Sequence, residues 1–306
     1  MEDTKQKPYS EMTIEELRVL AKKGDAKAQN NLGVYYARGE GVRKNLLKAV
    51  EWYTKAAEQG LMRAQFNLAA CYYRGDGVEQ DYVKALEWYH KAAEQGDLRA
   101  QNDIGSCYYN GYGVERDLKK AIEWFIKAAT QGYAGAQYNL GRHYLDGEGD
   151  ETDSKKAVEW FTKAAEQGDL WSQYYLALCY EKGNGIRRNY KKAVEWYTKA
   201  AEKGEAPSQY RLALCYNEGR GVNKNYGEAV AWYTKAAEQG YTMAQNNLAM
   251  CYKEGFGVEK DLAKALEWAV KAVDNGDEEA RNTVLEIQQE MSESQLSCSE
   301  DDLTLA

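Results

Sequence analysis

The sequence predicts an all-α protein, a right-handed α-solenoid of seven 36-residue helix-turn-helix repeats with a capping helix at each end. Three observations lead there. Seven of the eight tryptophans recur every 36 residues, at Trp52, Trp88, Trp124, Trp160, Trp196, Trp232 and Trp268. Lysines keep the same step from Lys55 to Lys271, and a glycine closes each unit from Gly60 to Gly276. Only two prolines stand against 27 glycines, the balance expected of many helices that end on glycine. Length alone suggests about two domains, but the register runs unbroken through residues 25–276.

Each element follows from local chemistry. Residues 1–12 hold no apolar segment of the kind a secretory signal needs and read as a flexible N-terminus. In residues 13–24, Thr13 and Glu16 form a capping box for a single helix whose Ala21 falls in register with Ala57. Helix A of each repeat carries its stripe at Ala28, Leu32, Tyr35 and Tyr36, and helix B repeats that spacing at Ala49, Tyr53, Ala56 and Ala57. Between them, Gly-x-Gly supplies the positive φ that ends helix A. Asn45, Asp81, Asp117, Asp153, Asn189, Asn225 and Asp261 are placed to cap helix B. Residues 277–291 form the closing helix, and residues 292–306, with four acidic groups and no basic one, read as a disordered tail.

Composition sets limits on function. The chain has 44% hydrophobic residues and a net charge of −8, so it can build a core and lacks the basic balance of a nucleic-acid binder. No apolar run approaches the length of a membrane span. A cytoplasmic protein whose six cysteines are thiols is the expectation.

The columns Ala-Gln-x-x-Leu-Gly/Ala-x-x-Tyr, Gly-x-Gly-Val and Lys-Ala-x-x-Trp-Tyr-x-Lys-Ala-Ala resemble the Sel-1-like repeat family of tetratricopeptide-like hairpins. The resemblance implies an adaptor or scaffold. It also brings in a secreted bacterial branch, linked to β-lactam binding or hydrolysis, in which each repeat carries a disulfide-linked cysteine pair. This chain departs from that branch, with no more than one cysteine in any unit.

Residues that suggest chemistry resolve into scaffold. Cys71, Cys107, Cys179, Cys215 and Cys251 share one repeat position. Packed helix axes lie roughly 8–10 Å apart, too far for a disulfide or a shared zinc ion. They are expected to pack as small hydrophobes, with Cys298 exposed in the tail. His90 takes a position held by threonine at 54, 162, 198 and 234 and is expected to face solvent, and His143 replaces a cysteine as an interior histidine. No catalytic constellation, metal site or cofactor motif is present: the loop from Asp146 fails the EF-hand pattern at Glu151 and Ala157, and no P-loop occurs.

A solenoid binds along its concave face. Alignment with the tetratricopeptide signature puts that groove at Lys27, Asn30, Val34, Ala37, Arg38 and their successors. The partner-binding residues expected are Arg63, Phe66, Tyr73, Arg74, Arg99, Tyr109, Tyr138, Arg142, Trp171, Tyr174, Leu178, Tyr210, Leu214, Met243 and Met250. Cations dominate the first half, and Glu181, Glu218, Glu254, Glu279, Glu286 and Glu290 the second. The expected function is a non-enzymatic adaptor holding a protein or peptide segment, acidic toward the N-terminal repeats and anchored near Trp171. A purely architectural subunit, the other alternative, calls for a polar groove.

Overall fold

A computed structural model gives the fold. It describes residues 7–147 and 153–304, and these contain sixteen α-helices, one short 3-10 turn and no strand. The chain divides into two compact units, Met1–Leu140 and Gly141–Ala306. The loop tested for calcium lies mostly outside the described residues.

The first unit opens with a turn at Tyr9–Glu11 and α1 (Ile14–Lys22). Three hairpins follow: α2 (Ala26–Arg38) with α3 (Leu46–Glu58), α4 (Met62–Arg74) with α5 (Tyr82–Glu94), and α6 (Leu98–Asn110) with α7 (Leu118–Ala129). The predicted capping box closes α1, with Thr13 N–H donating to Glu16 and Glu16 N–H donating to Thr13. Order begins earlier than the sequence suggests. Met12 is buried, and the Tyr9 hydroxyl donates to the Asp25 carboxylate at 2.8 Å, so this aromatic residue ties the leading segment to the first hairpin.

The division between units falls within α8 (Ala134–Asp146). In the second unit, α9 (Ser154–Glu166) precedes three hairpins: α10 (Leu170–Lys182) with α11 (Tyr190–Glu202), α12 (Ala206–Glu218) with α13 (Tyr226–Glu238), and α14 (Thr242–Glu254) with α15 (Leu262–Asp274). The last helix, α16 (Ala280–Thr304), continues through the segment expected to be a disordered tail. That segment contains neither Gly nor Pro, so nothing in its backbone chemistry stops a helix at residue 292.

All seven predicted Asn and Asp residues cap their helices, as where Asn45 accepts from Lys48 N–H and Asp261 from Lys264 N–H. The alanines at the hairpin contacts are essentially inaccessible. The tryptophans sit half-buried at the joints: Trp88 packs against the clusters of both the first and second hairpins, and Trp232 against two neighbouring clusters in the second unit. Each carries the ammonium of the lysine three residues on, at 3.8 Å for Lys91 over Trp88 and for Lys235 over Trp232.

Two devices hold one hairpin against the next. The first is steric. Gly77 has φ +74° and lies so close to the preceding helix B that a Cβ there would be 2.5 Å from the carbonyl of Leu46. Gly257 stands in the same way against Tyr226 in the second unit.

The second device is a ladder of buried amides. Gln65 Nε2 donates to the Ala57 carbonyl of the preceding helix B at 3.4 Å, and its Oε1 accepts from Gln95 Nε2, at the end of its own hairpin, at 2.7 Å. Gln29 does the same with the Ala21 carbonyl and Gln59, which explains the register between Ala21 and Ala57: α1 stands in for a helix B. Gln209 repeats the pattern with Ala201 and Gln239. In the fifth repeat the ladder is interrupted. Lys203 occupies the position of the donor glutamine, and Gln173 Oε1 is buried without a hydrogen-bond partner.

Lys203→Gln should therefore stabilise the protein by about 0.5–1.5 kcal/mol by restoring a donor to a buried oxygen. A rise in the urea midpoint checks this; an unchanged or lower midpoint would contradict the ladder's energetic role.

Candidate partner-binding faces

The A helices of the first unit present a basic face. Lys27, Arg63 and Arg99 stand at one repeat position on α2, α4 and α6, and all three are exposed. A pocket of about 540 Å³ lies here, lined by Asn30, Asn31, Val34 and Arg38 of α2, Met62, Arg63 and Asn67 of α4, and Gly96 to Arg99 at the start of α6. Of the groove residues expected from sequence, the pocket unites Arg63 and Arg99 with Asn30, Val34 and Arg38. It adds Asn67, whose Nδ2 donates to Asn30 Oδ1 at 2.9 Å, linking α2 to α4. The recurrence of Asn at 31 and 67, one column beyond Asn30, is a sequence signal for this polar floor that the search for aromatic and charged residues passed over.

The three cations differ in their partners. Arg99 is bound to Asp97 through Nε at 3.1 Å and Nη2 at 2.6 Å, while its guanidinium stacks 4.0 Å over Phe66. Phe66 is thus the platform for Arg99 and not a free apolar anchor. Among the described residues, Lys27 and Arg63 have no acidic partner within ion-pair distance.

Other expected site residues of this unit are more engaged than their sequence positions suggest. Tyr73 packs edge-on against Tyr82 at 5.3 Å and Tyr112 at 5.9 Å, and those two rings stack on each other at 4.8 Å. Arg74 is exposed and pairs loosely with Asp76 at 3.8 Å. Arg116 lies 5.8 Å over the half-buried Tyr109, and Tyr138 on α8 is half-buried.

In the second unit the same faces turn apolar. The position of Lys27 is held by Trp171, Pro207 and Met243, with Trp171 48% and Met243 49% exposed. Tyr174 sits perpendicular to Trp171 at 6.3 Å and leans on Tyr197 at 6.1 Å; Tyr210 does likewise between Tyr233 at 6.0 Å and Tyr241 at 5.3 Å. Leu178 is half-buried against these rings. Leu214 and Met250 line a second pocket, of about 550 Å³, with Tyr226, Phe256, Asn247, Glu218 and Lys224 among its walls. Arg142 is held by Asp146 at 3.0 Å and by the Tyr175 hydroxyl at 2.7 Å.

The acidic bias expected of the later repeats is largely neutralised in place. Glu181 is mostly buried, accepts from the Tyr197 hydroxyl at 2.6 Å and lies within 4.0 Å of Arg211 and Arg220. Glu218 pairs with Arg220, Glu254 and Glu286 with Lys253, and Glu290 with Lys260. Apart from Lys253 beside Glu254, their cations come from neighbouring repeats or loops, which a reading along one column does not connect.

The five aligned cysteines are buried free thiols, as the packing expectation required. Burial pushes their pKa values up, to about 11 at Cys71 and about 12 at Cys107. His143 is also buried, against Tyr144. His90 differs from expectation: it is half-buried, packed edge-on against Trp124 at 5.4 Å, and its pKa is lowered by burial. Thr54, Thr162 and Thr234 at that position are half-buried too, each donating its hydroxyl to the carbonyl four residues back. A polar residue fits the position because the helix satisfies it internally.

Burial raises the Asp103 carboxyl pKa, although Asn102 Nδ2 donates to it at 3.1 Å. Asn occupies the same position at 31, 67, 139 and 247. A carboxyl whose folded pKa is raised penalises folding when ionised, and the penalty fades as pH falls through that pKa. Asp103→Asn should raise stability at pH 7 by on the order of 1 kcal/mol, with the gain shrinking toward pH 4. Thermal unfolding at the two pH values checks this; a pH-independent difference would contradict it.

The Sel1 repeat profile matches this chain seven times, at residues 26–61, 63–97, 98–133, 134–169, 172–205, 206–241 and 242–277. The crystal structure of a protective antigen of uropathogenic Escherichia coli with an SLR fold is 38% identical at a TM-score of 0.80, over 89% of this chain and 58% of that one. A Sel1 repeat protein from Oxalobacter formigenes is 32% identical at a TM-score of 0.69, over 80% of this chain and 96% of that one. A sel1-like repeat protein of Acanthamoeba polyphaga mimivirus is 48% identical over 44 residues, 14% of this chain and 8% of its own length. Yeast Tom70, 15% identical at a TM-score of 0.52 over 91% of this chain and 60% of that one, shares the fold. The chain thus spans little more than half of the E. coli structure and a small part of the viral protein.

Proposed function

The chain belongs to the Sel1 repeat family, and we propose that it is a non-enzymatic scaffold that holds a partner polypeptide on the A-helix faces of its hairpins. The observation that carries this reading is the exposure of Trp171 and Met243, each about half accessible, at one repeat position in the second unit. An indole left half in water forgoes the burial that stabilises it elsewhere in this chain, and such side chains are the residues that anchor protein interfaces. Tyr174 and Tyr210 extend the surface while being steadied from behind by Tyr197 and Tyr233. Rings held this way lose little rotamer freedom on binding.

The alternatives draw less support. A purely architectural subunit would have solvated polar residues where Trp171 and Met243 stand. The cysteine pairs of the β-lactam-binding branch have no counterpart in the single buried thiols of five of the seven repeats. Among the described residues no helix is long and apolar enough to cross a membrane, and the partner proposed is a protein or peptide.

Replacing Trp171 and Met243 together by Ala should weaken capture of the native partner by at least ~30-fold, the cost of losing a hot spot. Because both side chains are half exposed, thermal stability should change little. Affinity capture from the source cells, with the unfolding temperature measured in parallel, provides the check. Partner retained at wild-type level by a folded double variant would contradict the proposal.

A further inference from the structure

We infer that the basic face of the first unit is a subsite for an acidic, extended peptide segment, whose carboxylates dock on Arg63 and its neighbours Lys27 and Arg99. This rests on the scaffold reading above and specifies the chemistry of what one face receives.

The first argument is charge. Cations recur at one position on three successive A helices, and Lys27 and Arg63 stand without an acidic partner. Lys84, Lys120 and Lys264, by contrast, each pair with the aspartate that caps their own helix. The single carboxylate in the pocket, Asp97, is already engaged: it accepts from the backbone N–H groups of Arg99 and Ala100 and from the Arg99 guanidinium. It orients Arg99 and leaves Arg63 uncompensated.

The second argument is shape. The pocket of about 540 Å³ reaches across three A helices, which suits a length of chain better than one compact anion. Arg63 and Arg99 are one repeat apart. With packed helices roughly 8–10 Å apart and an extended chain advancing about 3.3 Å per residue, they would meet acidic side chains about three residues apart. The floor between them is polar. The half-buried Asn67, whose Nδ2 donates to the buried Asn30, keeps its Oδ1 as an acceptor for a peptide backbone. A guanidinium binds a carboxylate through two parallel hydrogen bonds, so Arg63 is the expected centre of recognition.

A second basic pocket, of about 560 Å³ and including Arg18, Arg43, Lys44 and Lys48, lies at the A–B loop of the first repeat. The sixth repeat has a pocket at the same loop, lined by Tyr216, Gly219 and Lys224 among others. That recess therefore belongs to the hairpin itself and serves as the internal control.

The test uses the full chain and a fluorescein-labelled peptide of repeated Glu-Gly-Gly, with its Gln-Gly-Gly counterpart, read by fluorescence anisotropy. The Glu peptide should bind saturably and lose affinity as salt rises, and the Gln peptide should not bind. Arg63→Gln should weaken binding about tenfold, the loss expected for a charge-assisted pair, with Arg63→Lys retaining part of it and Arg43→Gln matching the wild type. Equal binding of the two peptides, no binding of either, or a loss on Arg43→Gln in place of Arg63→Gln would overturn the assignment. The scaffold reading is tested separately through Trp171 and Met243 in the other unit, so either can fail alone.

Discussion

Everything else in each unit depends on how closely one hairpin can approach the next. A glycine in the A–B loop lies against the first turn of the preceding helix B with no room for a methyl group, as Gly77 does at Leu46 and Gly257 at Tyr226. A positive φ and the lack of a Cβ are both required there, which is why the second glycine of Gly-x-Gly recurs. At the other end of the hairpins the glutamine ladder ties helix A to the carbonyls of the preceding helix B, as Gln65 does at Ala57. A buried amide with all its groups paired fixes register because any slip leaves a donor or acceptor unsatisfied. Sterics at one end and hydrogen bonds at the other allow a single stacking distance.

Fixed register turns a column in the sequence into a row on the surface. Core columns stay constant because each must fill the same space: Tyr197 and Tyr233 are buried at one position, and Leu176, Leu212 and Leu248 at another. Columns on the A-helix faces escape that demand and vary. The position that begins as Lys27, Arg63 and Arg99 continues in the second unit as Trp171, Pro207 and Met243. Chemistry can therefore change from unit to unit while the scaffold beneath it does not. Function of this kind lies in side chains that the fold leaves free, which is why likeness in fold says little about the partner.

The repeat, its helix boundaries and its caps were legible in the sequence because each depends on contacts close in the chain. Asn45 reaches an N–H three residues away, and the Trp88 indole carries an ammonium three residues on. The aligned cysteines could be assigned to packing from their column alone, and they are buried thiols. The candidate site was less legible. Its residues fall on the A helices, but what each one touches is set some 30 residues away. Phe66 supports Arg99, Glu181 is held by Tyr197 and two arginines, and Asn67 bonds to Asn30. Single columns show which side chains line a face and not which of them are already paired. The same limit hid the packing of His90 on Trp124 and the gap opposite Lys203.

The central claim is that the A-helix faces, and not the outer faces of the B helices, meet the partner. The outer B faces also expose apolar residues, with Leu47 67% and Val83 55% accessible, so exposure alone does not decide between them. Site-specific photo-crosslinking does. A photoreactive phenylalanine analogue placed at Arg63, Trp171 or Met243 should become covalently joined to one and the same partner in the source cells, while the same group at Leu47 or Val83 should not. Crosslinking from Leu47 or Val83, with none from the A-helix positions, would contradict the account.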